Sequence, residues 1–540
     1  MTRIQRIFRY WLQSIFYSMY IDDVTGLRCL VALAAIAGAP TWATAGVDSV
    51  LGWQTSVEVR ANTVSSLPVP DAHLTTTTVD RFGGNWYALR VPAEAAAAWD
   101  TLPAMAELDL DAQRHGLEVH LVLPLRRDLE SWMDDPLHGN WITSANDLDI
   151  NVPYEGWISA QTSLGAFKMG RFRYNFSPTS HGVILAGTPR HDGLLWNLPL
   201  GRVHYGFFAS SLNPWLNGTA TDTAGNVAGS GTTNVESTTS PHGSETWQQS
   251  HEALGDQNGR IYDDPYKTLF MHSLGIQLGP ADLTLVEQTL IGGKSPEFRD
   301  LNPFIVWHDS YGDGYSRSFF SLDLRVQGGE TGFFWGQIST QLIKSPIGEN
   351  NYDPALQAAA AAGWSNQWHH AGGMLTASVD FATTTPTFDN HLLPLLKMTS
   401  RRLYRSNYRN QLEANYADVY EVDYPLSYQR GPDALDLWTR IGWDAPLTSG
   451  GSHGGSLEID VLQQGDASLD TSAATYIKRD WPLSGIVERE LRLIFETHRD
   501  FEKFWRLQAG VGASIIRNLN HESGNTEFSP LWSLGLGFRY

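Results

Sequence analysis

The last eleven residues, Pro530 to Tyr540, constrain the chain more than any other stretch. Taking every second residue back from the end gives Tyr540, Phe538, Leu536, Leu534 and Trp532, and the intervening set is Arg539, Gly537, Gly535 and Ser533. Successive strand side chains point to opposite faces, so this is a strand with one apolar face and one small or polar face. The pattern recurs. Trp505, Leu507, Ala509, Val511, Ala513 and Ile515 alternate with Arg506, Gln508, Gly510, Gly512 and Ser514. Phe320, Leu322, Leu324 and Val326 alternate with Ser321, Asp323, Arg325 and Gln327. Leu435, Leu437, Thr439 and Ile441 alternate with Asp436, Trp438, Arg440 and Gly442.

Each segment matches the roughly 9 to 11 residues of a membrane-spanning strand. A soluble sandwich would bury the apolar face in its core, whereas a membrane barrel turns it to lipid and lines its lumen with the polar face. Connection lengths decide between them. Strands are expected near 50–60, 84–92, 117–125, 154–163, 165–173, 190–197, 202–211, 267–278, 281–292, 317–327, 331–343, 369–381, 413–425, 434–445, 454–464, 486–497, 504–516 and 531–540. Tight turns such as Gly279-Pro280 and Gly328-Gly329-Glu330 alternate with long polar stretches at 212–266, 293–316, 344–368, 465–485 and 517–530. Short turns on one side and long loops on the other are the asymmetry of an outer-membrane barrel. The expected fold is all-β, a transmembrane antiparallel up-and-down barrel of 16–18 strands with long extracellular loops and short periplasmic turns. Its closing strand resembles that of bacterial outer-membrane barrels, which carries their assembly signal; the resemblance implies contact with the barrel-assembly machinery through the strand ending at Tyr540, and with outer-membrane lipid.

Composition agrees. The one long apolar run, Leu27 to Ala43, is broken by Pro40 and closes on Ala43-Thr44-Ala45, with Arg3, Arg6, Arg9 and Arg28 upstream. That is a secretory signal pattern with cleavage after Ala45, so 1–45 is expected to be the signal peptide and 46–540 the barrel. Met19 is an alternative start. Cys29 is the single cysteine and leaves with the signal, which excludes a disulfide framework and a thiolate metal site. Four arginines and two aspartates leave as well, taking the formal charge from −20 to −22, and nucleic-acid binding would need a basic surplus. The 20 Trp and 20 Tyr suit the aromatic girdles of a barrel. Three regions fit the barrel less simply. Pro92 to Asp100 is Ala-rich and is expected to form a short helix on the periplasmic side or inside the lumen. Residues 212–266 read as a polar extracellular loop. Residues 382–412, with Arg401, Arg402, Arg405 and Arg409, fold into the lumen as a constriction or form a further hairpin.

The sequence holds no H-E-x-x-H, G-x-S-x-G or Walker-type lysine motif. His369-His370, Ser452-His453 and Ser180-His181 are read as polar loop residues. No enzyme, cofactor or metal is expected. By parity Asp323, Arg325, Asp436, Arg440, Arg506 and Gln508 point inward with Trp335, Gln337 and Gln341. Mixed charges beside an aromatic ring suit sugar recognition, although any barrel lumen must pair its charges.

Glu287, then Leu301-Asn302-Pro303-Phe304, the Asp323 to Gln341 hairpin with Phe334-Trp335-Gly336-Gln337, Glu413 to Asp418 and Gly431-Pro432-Asp433-Ala434 resemble the capsule-assembly Wzi family. The similarity extends over about 154–445 and includes Lys168-Met-Gly-Arg171. It implies an outer-membrane barrel that holds capsular polysaccharide at the cell surface, the alternative being a porin-type channel for small solutes. The candidate ligand-binding residues are Glu287, Asn302, Trp307, His308, Asp323, Arg325, Trp335, Gln337, Tyr416, Asp418 and Arg440.

Overall fold

The computed structural model describes residues 54–65, 75–81, 84–90, 93–151, 154–186, 190–212, 267–292, 302, 316–329, 331–341, 356–370, 372–391, 396–406, 419–447, 450–469, 483–501 and 505–539. The signal segment, residues 213–266 of the loop expected at 212–266, Trp307, His308, Tyr416, Asp418 and Tyr540 lie outside the described residues.

Strand β1 (Gln54–Ser65) leads into β2 (Thr75–Arg81), β3 (Gly84–Arg90) and helix α1 (Ala93–Thr101). Strands β4 (Ala106–Arg114) and β5 (Leu117–Leu125) precede the short helix α2 (Leu129–Met133). Next come β6 (Glu155–Thr162), β7 (Gly165–Phe172), β8 (His191–Leu200) and β9 (Val203–Ser211). They are followed by β10 (Lys267–Leu278), β11 (Ala281–Gly292), β12 (Ser316–Gly328), β13 (Gly332–Gln341), β14 (Ala358–His370) and β15 (Gly373–Thr384). After β16 (Thr399–Arg405) and β17 (Val419–Pro425), the series ends with β18 (Ala434–Pro446), β19 (Ser452–Gln464), β20 (Glu488–Phe501), β21 (Trp505–Arg517) and β22 (Thr526–Arg539).

Eighteen of these strands pair antiparallel in sequence order, and β1 closes the ring by pairing with β4 on one side and β22 on the other. Closure joins the two ends of the strand series, so the seam's backbone groups pair with each other rather than with water. The alternation sets the faces. Leu534, Leu536, Val511, Leu324, Ile338 and Leu285 all stand exposed on the outside, while their neighbours Asp323, Gln337 and Ser514 are buried inside. A closed barrel wrapped in an exposed apolar belt is a membrane-spanning barrel, and the compartment is the bacterial outer membrane. Both β1 and β22 have their outer ends at the tight-turn side, where β22 pairs across Arg60 and β4 across Gln54.

The count of eighteen agrees with expectation, but two members differ. The stretches expected near 84–92 and 413–425 supply β3 and β17, which leave the wall and form a four-stranded sheet, β16-β17-β3-β2, with β17 and β3 parallel. Their wall places are taken by β4 and by β14, which runs through what was expected to be a long loop at 344–368. The β14 segment opens Ala358-Ala-Ala-Ala-Ala362, where side chains of one size conceal the alternation. Within it, Ala359 and Ala361 face a packed interior.

The four-stranded sheet sits at the long-connection mouth. Lys267 Nζ, at the start of β10, donates to Thr399 of β16, and Arg402 pairs with Asp192 at the start of β8 at 2.6 Å. Helix α1 forms where the Ala-rich stretch predicts it; of the two placements expected, the periplasmic side or inside the lumen, the first does not hold, because α1 lies in the β1 to β4 connection at this mouth. Its Ala95, Ala96 and Trp99 are fully buried against Val422 and Tyr424 of β17 and Leu129 and Trp132 of α2. The segment expected at 382–412 belongs to the same end, as part of the β15 to β18 connection.

Candidate functional site in the lumen

The connection 173–190 leaves β7 and returns to β8 after crossing the barrel. The inward positions it meets lie on β12, β13, β15 and β18, and β18 is nine steps from β7 around the eighteen-strand ring. On β12 the Arg325 guanidinium donates to the Phe176 carbonyl at 2.6 Å and to Asp323 at 2.7 Å. On β13 the Gln337 amide donates to Asp323 at 2.7 Å, and its oxygen accepts from the Ser177 hydroxyl and the Val183 N–H at 2.9 and 3.0 Å. Asp380 on β15 lies beside the Trp335 indole, since a Cβ on Gly363 would meet both the Asp380 Oδ1 and the Trp335 Nε1. That indole lies flat across Gly363 of β14, where a Cβ would come within 2.2 Å of its Nε1, so only glycine admits the contact. On the far wall His181 stacks on Trp438 with ring centroids 5.0 Å apart, and its Nδ1 lies 3.1 Å from Asp436. The Tyr428 hydroxyl also donates to Asp436, at 2.5 Å.

Apolar side chains fill the space around this network. Val183, Ile184 and Leu185 of the crossing segment are buried with Phe208, Leu269 and Met271 of the wall and with Phe388 and Met398 of the β15 to β18 connection. Buried polar networks are strong when every member is satisfied, because the low dielectric raises both the worth of each bond and the penalty for losing it. Burial also pushes the Tyr174 hydroxyl well above its ordinary range.

Below the crossing segment, toward the tight turns, lies a cavity of about 630 Å³. Asn175, Phe176, Asn197, His204, Asp282 and Arg325 contribute to its wall. An aromatic face set among convergent donors and acceptors can stack on the apolar side of a sugar ring and bond its hydroxyls.

Of the candidates from sequence, Asp323, Arg325, Trp335 and Gln337 come together in the network. Arg440 also points inward, but it keeps to the open part of the wall, 3.1 Å from Ser456 and 3.5 Å from Glu496. Glu287 falls on the outward parity, opposite its inward neighbour Val286 and cross-strand from His272. Asn302 is exposed, apart from the network. His181, read from sequence as a loop residue, is the main anchor to the far wall. Its neighbour Ser180 is exposed, and adjacency in sequence gave no sign that Asp436 would meet it.

No protein-family model matches the chain, and no curated protein does. Among solved structures it is similar to Wzi, described as an outer membrane protein involved in group 1 capsule assembly in Escherichia coli and a carbohydrate-binding β-barrel. That match has 12% identity and a TM-score of 0.46, over 91% of this chain and 85% of that one. It is also similar to an anion-selective porin from Comamonas acidovorans, at 9% identity and a TM-score of 0.33, over 90% of this chain and 100% of that one. OprD of Pseudomonas aeruginosa has 8% identity and a TM-score of 0.36, over 90% and 95%.

Proposed function

We propose that this outer-membrane barrel is a non-enzymatic binder of surface polysaccharide, with a lumen closed to free solute flow. The observation that carries the reading is the crossing segment 173–190, which leaves β7 and is tied by hydrogen bonds to β12, β13 and, half a ring from β7, β18. A general diffusion channel needs a continuous water path, whereas here Val183, Ile184 and Leu185 pack against wall residues across the middle. The resemblance of 154–445 to the capsule-assembly family supports a capsular polymer as ligand. On this reading 1–45 is a cleaved leader, 46–540 is the mature barrel, and the closing strand engages the assembly machinery.

Two measurements test the proposal. Purified protein should be retained on immobilised capsular or other surface polysaccharide, and in planar bilayers it should show no large, stable conductance. A steady open pore with no glycan retention would replace this reading with that of a porin-type channel.

A further inference from the structure

The strands nearest the closing seam carry a second group of polar side chains, separate from the crossing segment. Asp109 and Asp111 are two apart on β4, so both face the lumen. The β4–β5 hairpin places His120 directly across from Asp111. His120 Nδ1 lies 2.7 Å from Asp111 Oδ1 and 3.4 Å from Asp109 Oδ1, and the three donor atoms all fall within 4.8 Å of one another. The His120 ring is held by stacking on Trp157, centroids 4.9 Å apart at 25°.

Two features set this group apart from an ordinary acidic patch. Asp109 is only 9% exposed, and its Oδ1, turned toward His120, accepts no hydrogen bond. A buried carboxylate oxygen in that condition calls for a partner that is not a protein donor, such as a water or an ion. Asp109 also shares its described guanidinium with two further carboxylates. Arg60, 3.5 Å from the other Asp109 oxygen, is already held by Glu58 and Glu107 at 2.9 and 3.1 Å.

We propose that Asp109, Asp111 and His120 bind a first-row divalent cation, Zn²⁺ before the others, on the luminal wall. One imidazole nitrogen with two carboxylate oxygens is a donor set of the kind Zn²⁺ takes, and three protein donors leave a coordination position for water or a ligand atom from the lumen. The sequence points to no metal because Asp-x-Asp and a histidine nine residues on form no known ligand spacing. The hairpin register assembles the group.

The test uses full-length protein purified in detergent, freed of metal with a chelator and titrated calorimetrically with Zn²⁺. The wild type is expected to take up one equivalent. Asp109→Asn and His120→Gln should each weaken that binding at least about tenfold, a loss that even outer-shell partners of metal ligands cause. Because His120 also packs on Trp157, Asp111→Asn is the third variant, its described hydrogen bond being to His120. No uptake by the wild type overturns the proposal, as does uptake of unchanged affinity in all three variants while far-UV circular dichroism shows the barrel intact.

Discussion

Arg325 and Phe176 are 149 residues apart in sequence, yet the guanidinium of one donates to the carbonyl of the other at 2.6 Å. That bond joins wall strand β12 to the segment that crosses the lumen, and Gln337 on the adjacent strand adds a second hold through Ser177 and Val183. A hydrogen bond to a charged group is worth about 1.5 to 3 kcal/mol. Removing it with Arg325→Ala is expected to raise the population of a displaced crossing segment by roughly ten- to a hundredfold, and Arg325→Ala with Gln337→Ala by more. Planar-bilayer recording checks this: brief openings should become frequent in the single variant and lengthen in the double. A double variant as silent as the wild type would show that the apolar packing alone holds the segment.

Acidification should tighten the long-connection end. Asp389 accepts from the Ser427 hydroxyl at 2.8 Å, and Asp128 caps α2 through the N–H groups of Glu130 and Ser131 while accepting from Ser406. Burial pushes each carboxyl up to about 7, against about 4 in an unfolded chain. Above pH 7 both states are ionised and the folded state bears the full desolvation penalty. Between about pH 7 and pH 4 the folded state binds the proton first, so stability rises as pH falls and levels off below 4. Urea midpoints, followed by tryptophan fluorescence, should therefore be higher at pH 5.5 than at pH 8. Asp389→Asn should shrink that difference, and an unchanged difference would clear Asp389 of any part in it.

Much of the wall could be read from sequence because lipid on one side and packed polar groups on the other force a strict period of two. Leu534 and Val511 show that period plainly. What could not be read follows from cases where the period is silent or misleading. The alanines of β14 are nearly the same on both faces, so no alternation marks the strand. Segments 84–90 and 419–425 do alternate, but they pair with each other in an inner sheet, and a period of two says nothing about which sheet a strand joins. The network followed the same division. Inward parity found Asp323, Arg325, Trp335 and Gln337, whereas His181 is placed by a connection whose course depends on the whole ring. Glu287 was carried by a motif, and its parity puts it on the outside.

The assignment of faces can be tested on a single strand. Val511 is on the outside of β21, 60% exposed, and Gln508, three residues earlier, points into the lumen. Arginine on the lipid face near the bilayer midplane costs about 2 to 4 kcal/mol, whereas luminal changes are tolerated. Val511→Arg should lower the folding free energy in lipid vesicles by about that amount, and Gln508→Arg should leave it within about 0.5 kcal/mol. Equal losses in the two variants would contradict the inside–outside assignment of the closing strands.

Trp99 joins α1 to the wall, and its loss should separate the inner layer from the barrel. Its ring is fully buried, its Nε1 donates to the Arg127 carbonyl at 2.9 Å, and the Arg126 guanidinium lies over its face at 3.9 Å from the centroid. Arg126 in turn pairs with Asp100 and bonds to the Leu102 carbonyl, so one indole orders groups from α1 and from the end of β5. Truncating a buried Trp to Ala costs about 3 to 5 kcal/mol, and here it also takes the aromatic face from a buried cation. Trp99→Phe keeps a face for Arg126 and forfeits mainly the indole hydrogen bond, about 1 kcal/mol. The eighteen-strand ring does not depend on α1 for closure, since β1 pairs directly with β4 and β22. Limited proteolysis should therefore cut Trp99→Ala rapidly between β1 and β4 and between β15 and β18 while the wall strands survive, with Trp99→Phe close to wild type. Loss of the whole barrel in Trp99→Ala would instead make the inner layer a condition of closure.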